Sequence, residues 1–250
     1  MRKCILMILL PIEIILFYLF SHQMNFHVMR FVIKYLYPVF KHLDPENVYI
    51  VLSLNGIICA MISMSCIIVY CVATKRNLKE CGFNLINMKL SLRLVVLFLI
   101  VFMTLYVSIG TIAARNGLFD YKFHFQFNLK NYSGIFLFEL FISGLEEVYF
   151  RGFLILVLLT LWKPIFKSQK YLYIALVLAS TLVFTLRHIG MTLYPFEITY
   201  LVPIQLVVTT VMGLSCGYIF LRTKSLIGAY MAHSISNACI YIFLAVLNVI

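Results

Sequence analysis

Leu94-Val95-Val96-Leu97-Phe98-Leu99-Ile100-Val101-Phe102-Met103-Thr104-Leu105-Tyr106-Val107 holds no charged side chain, and across 92–114 the only charge is Arg93. At about 1.5 Å per residue, a helix of that length crosses about 30 Å of hydrocarbon. Further apolar runs lie at 4–21, 48–73, 133–162, 171–188, 198–221 and 226–250. Together they predict an all-α fold: a polytopic transmembrane helix bundle of about seven helices, within a range of about six to eight. The 250 residues are 63% hydrophobic and 12% charged, against about 45–50% and about 25% in a soluble domain. A soluble fold of this composition would lack the polar surface to cover its core. Lipid as the solvent removes the difficulty.

The formal net charge is +11, and the Lys and Arg residues sit mainly between the apolar runs. With a cytoplasmic N-terminus, eleven of them fall inside, including Lys163, Lys167 and Lys170, against six outside. That bias predicts N-terminus inside and, with seven spans, C-terminus outside. Nucleic acid is excluded as a partner because the chain has no soluble basic domain; lipid is the expected one. The seven cysteines form no C-x-x-C pair and imply neither a disulfide framework nor a zinc knuckle. No repeat or linker divides the chain, so 1–250 reads as a single integral membrane domain. The first run lacks a small-x-small cleavage site and reads as a retained helix. After it, Phe26, Met29, Ile33, Leu36 and Phe40 recur at helical spacing beside Arg30, Lys34 and Lys41. They predict a basic amphipathic helix on the membrane surface, with an ordinary loop as the alternative. Glu13 reads as a helix-interface contact and Trp162 as a headgroup-level anchor.

The fourth run contains Glu146, Glu147 and Arg151. A charge at the centre of a membrane helix costs at least about 2.5–3.5 kcal/mol, so these need a reason. Glu147 and Arg151 are four apart and share a face, which predicts a supporting ion pair. Glu146 points about 100° away and is left as the free, reactive carboxylate. The alternative is one inert structural network of all three. The run is also too long for one straight helix, about 45 Å, and Ser143-Gly144 is the expected break. Glu139, seven residues before Glu146, falls on roughly the same face. His188 ends the fifth run, and His233 and Asn237 share a face of the seventh. A carboxylate, two imidazoles and an amide suit hydrolysis: a base for water, and donors for an oxyanion. Plain helix-to-helix bonding is the other reading of the His233–Asn237 pair.

The three clusters read E-E-x-x-x-R (Glu146, Glu147, Arg151), F-x-x-x-H (Phe184, His188) and H-x-x-x-N (His233, Asn237). In this order they resemble the CAAX protease and bacteriocin-processing (CPBP, Abi) family of intramembrane peptidases. The stretch from Gly213 to Leu226 is also similar to the family pattern, and the likeness covers about 133–240. The resemblance implies that Glu146 and His188 activate water while His233 and Asn237 stabilise the oxyanion. It implies an endopeptidase acting on a small peptide precursor or a membrane-associated protein, as in bacterial pheromone or bacteriocin maturation or self-immunity. No cofactor is expected. Zinc is the alternative, since one Glu and two His could ligate it, but there is no H-E-x-x-H and Asn237 suits the donor role. A non-catalytic immunity or scaffold protein that keeps the motifs for packing is the competing functional class. A short chain rich in Ile, Phe, Tyr and Lys suggests a multi-pass protein of a bacterial plasma membrane.

Overall fold

The computed structural model describes residues 2–117 and 122–249. Helix α1 (Arg2–Phe31) passes through a π-helical turn (Val32–Leu36) into α2 (Tyr37–Phe40). Then come α3 (Ile50–Thr74), α4 (Met88–Arg115) and α5 (Leu129–Phe141). A 3-10 turn (Ser143–Glu146) and a π-helical turn (Val148–Leu154) join α5 to α6 (Ile155–Trp162). Helix α7 (Gln169–Leu186) leads to an antiparallel hairpin, β1 (Gly190–Leu193) and β2 (Phe196–Tyr200), followed by α8 (Pro203–Thr223) and α9 (Leu226–Val249). Among the described residues six helices are long and apolar enough to cross a membrane. The interrupted α5–α6 segment has the length of a further passage. The chain is a multi-pass, all-α membrane protein.

Burial sorts the helices. α3 and α4 turn Val69, Val72, Val96, Leu97 and Ile100 outward, all exposed. In water such a surface would aggregate; in lipid it is the solvated face. The inner layer is α7, α8 and α9, whose Leu176, Val183, Phe184, Met212, Cys216, Ile219, Ala229 and Ala232 are buried in one cluster. Small residues let these backbones approach. A Cβ at Gly213 would lie 2.9 Å from the Thr181 side chain.

The connecting segments fall into two groups. Asp44 Oδ1 accepts the Val48 N–H at 2.9 Å, and its Oδ2 accepts those of Tyr49 and Ile50 at 2.8 Å, satisfying the open N-terminus of α3. Nearby, Glu46 accepts the Gln126 backbone N–H and an Asn131 Nδ2–H. The Gln126 and then the Asn131 hydrogen bond hold the Glu46 carboxyl below its ordinary value. On the other side, Asn84 Nδ2 donates to the carbonyls of Lys79 and Lys224, and Ser225 Oγ donates to that of Asn84. Lys224 Nζ donates to Tyr173 Oη at 2.9 Å, bringing the start of α7 to the same side. The basic 163–170 segment thus lies with the other basic loops. With native cysteines replaced by alanine, Lys167→Cys is expected to react with an impermeant maleimide only after cells are opened. Labelling in intact cells would invert the orientation.

Four sequence expectations change. The amphipathic segment 25–42 is helical, but it continues α1 instead of starting a separate surface helix. No Gly or Pro stands between Ile12 and Tyr37 to interrupt it, and Val28 and Val32 are buried against Val51 of α3. The sixth run does not begin at 198, because β2 occupies Phe196–Tyr200 and α8 starts at Pro203. β-branched Ile198 and Thr199 with Tyr200 favour the strand, and proline suits the first helical turn. Trp162 is buried, its Nε1–H donating to Glu13 Oε2, so it is an internal contact. The fifth run ends its helix at Leu186, leaving His188 just beyond α7. Ile250, the end of the seventh run, lies outside the described residues.

Candidate active site

The helix breaks where Ser143 and Gly144 stand. Ser143 Oγ donates to the Glu139 carbonyl at 2.7 Å. The Gly144 N–H donates to Ser234 Oγ of α9 at 3.2 Å. A Cβ on Gly144 would collide with Ser234 Oγ and lie 2.8 Å from the Tyr230 carbonyl oxygen, so the turn can press on α9 only with glycine here. The π-helical turn that follows begins just after Glu147 and carries Arg151, and such turns recur where function needs an irregular helix.

Glu147 and Arg151 meet inside the bundle, 1% and 0% exposed. Arg151 Nη1 donates to Glu147 Oε1 at 3.0 Å, and Nε lies 3.0 Å from Oε2 as an ion contact without hydrogen-bond alignment. Arg151 Nη2 donates to the Gly213 carbonyl at 2.9 Å. The guanidinium also lies 5.0 Å from the Phe184 ring centroid. The pair is therefore part of a larger network. Glu147 Oε1 accepts a second hydrogen bond, from His233 Nδ1, at 2.8 Å.

Glu146 is turned away from that network and half-buried; among the described residues no hydrogen bond engages its carboxylate. The His188 ring lies within electrostatic reach of it. His188 Nδ1–H donates to the Phe184 carbonyl at 2.9 Å, which fixes the tautomer and leaves the Nε2 lone pair free. Asn237, one turn after His233, donates from Nδ2 to Glu139 Oε2 at 3.0 Å.

Depth on straight helices sets His188 apart from His233. Phe184 bridges them, its ring 4.8 Å from that of His188 and 5.6 Å from that of His233, edge to face with both. It stands at the phenylalanine of F-x-x-x-H, but nothing in its spacing revealed that it would touch both imidazoles. The Gly213 carbonyl and the Ser234 hydroxyl were likewise not singled out. Their roles come from backbone approach, which residue type alone does not announce. Among the described residues no three His, Cys, Asp or Glu side chains converge to hold a metal ion.

The fold and this buried polar cluster define a multi-pass membrane protein with an ionisable site inside its helices. Residues 128–239 match the family model described as type II CAAX prenyl endopeptidase Rce1-like. The resemblance carried by the three motifs is borne out there. That family is one of CAAX-type proteases, which supports a protease reading at family level. No curated protein and no solved structure matches the chain.

Proposed function

We infer that the protein is an intramembrane endopeptidase that hydrolyses a peptide bond in a small peptide precursor or a membrane-associated protein. The observation that carries the reading is the free Glu146 carboxylate within electrostatic reach of His188, whose Nδ1 is already committed to a carbonyl. A carboxylate and an imidazole so arranged can take a proton from water and pass it to the leaving amine. His233 has its Nδ1–H on Glu147, so its other nitrogen donates only when the ring is protonated. Protonated His233 and the second Nδ2–H of Asn237 then stabilise the oxyanion. His233→Ala and Asn237→Ala are each expected to lower kcat by about 10²–10³ with KM little changed. Loss confined to KM would remove the oxyanion role.

The family description supports a test substrate: a quenched-fluorescent peptide with an S-farnesyl cysteine four residues from its C-terminus. Purified protein in liposomes is expected to cut it, and the unprenylated peptide tests whether the lipid matters. Cleavage of neither, nor of a small peptide precursor encoded beside the gene, would sink the endopeptidase reading. Water activation is assigned to side chains, so turnover is expected to survive thorough chelation. Stoichiometric zinc whose removal stops turnover and whose return restores it would overturn that.

A further inference from the structure

Glu139 lies on α5, outside all three motifs. It is 8% exposed, and among the described residues its carboxylate has no ion pair. A carboxylate held that deep without a direct ion pair is costly, and a leucine would avoid the cost. Asn237 Nδ2 donates to its Oε2 at 3.0 Å.

An asparagine side chain has two ends of nearly equal shape, a donor NH₂ and an acceptor oxygen. Rotated by half a turn, Asn237 would show Oδ1 to a developing oxyanion and repel it. In its ionised form Glu139 only accepts, so it then holds only the NH₂ end. One Nδ2–H is then committed to Glu139 and the other is free. We propose that Glu139 is a positioning residue, selecting the amide orientation in which Asn237 keeps one N–H for the oxyanion. The proposal rests on the oxyanion role given above to Asn237. Glu139 reaches from α5 and Asn237 from α9, so the contact also sets the two helices against each other at the break.

Glutamine at 139 keeps the shape but can either accept from Nδ2 or donate to Oδ1, so the selection is lost. With the farnesylated peptide, E139Q is expected to lower kcat on the order of tenfold, a fraction of the 10²–10³ of a whole donor, with KM unchanged. Added to N237A, E139Q is expected to lower kcat no further. A second readout needs no turnover. In protein labelled with ¹⁵N-asparagine, the Asn237 side-chain NH₂ pair is identified by its absence in N237A. One of its protons is expected far downfield, on the carboxylate, and in E139Q the two are expected to draw together. An Asn237 pair without that separation in the wild type overturns the proposal, even if E139Q fails to fold. So does E139Q at full kcat while N237A is slow. If N237A keeps wild-type kcat, the oxyanion reading fails instead, and the resonance still reports whether Glu139 orients the amide.

Discussion

Glu146→Gln is expected to abolish turnover of the farnesylated peptide, a loss of about 10²–10⁴ for a general base, with the melting temperature in detergent unchanged. Glutamine has the shape of glutamate, and no hydrogen bond among the described residues holds the Glu146 carboxylate in place. His188→Ala is expected to lose turnover in the same way. Glu147→Gln is expected to lose both activity and stability. Its Oε1 accepts from Arg151 Nη1 at 3.0 Å and from His233 Nδ1 at 2.8 Å. A neutral amide there strands the buried guanidinium and removes the charged acceptor of the His233 hydrogen bond. The two glutamine variants should be melted and assayed side by side. A stable, inactive Glu147→Gln beside an unstable Glu146→Gln would move the base to Glu147.

Arg151→Ala is expected to have the largest effect on folding. Removing one partner of a buried pair costs about 3–5 kcal/mol, because the other charge is left in low dielectric. Here the Gly213 carbonyl also loses its donor. The yield of monodisperse protein and its melting temperature read the effect. Arg151→Lys is expected to fall between, since a single ammonium cannot reproduce a planar fork held by Glu147 on one side and Gly213 on the other. Exchanging the charges, Glu147→Arg with Arg151→Glu, is not expected to rescue folding. The new carboxylate would face the Gly213 carbonyl, and the new guanidinium would face the His233 N–H. A melting temperature for Arg151→Ala equal to wild type would show that the network is not structural.

The division of labour between the adjacent glutamates was legible, because it needs only the rotation per residue of a helix. The break at Ser143-Gly144 was legible from length against bilayer thickness. The bond from Glu147 to His233 was not, since the two stand 86 positions apart and no local pattern joins them. Glu139 was half legible: an offset of seven puts it on the face of Glu146 only if the helix is continuous, and the turns between them shift the phase. The hairpin at 190–200 was hidden because its apolar residues continue the hydropathy of the helix after it. Trp162 misled for a similar reason. Its position at the end of an apolar run suggests the headgroups, while its partner Glu13 lies 149 residues away.

The interrupted α5–α6 passage bears on how the chain can enter a membrane. Glu147 and Arg151 pair with each other inside it, but their remaining partners lie on segments made later: for Arg151 the carbonyl of Gly213 in α8, and for Glu147 the imidazole of His233 in α9. A nascent chain that has emerged only as far as Trp162 carries Glu139, Glu146, Glu147 and Arg151 in that passage without either later partner, a poor solute for hydrocarbon. The translocation machinery must therefore shelter this passage until the last two helices arrive. Assembly of the site and completion of membrane insertion are then one event, with α9 as the closing piece.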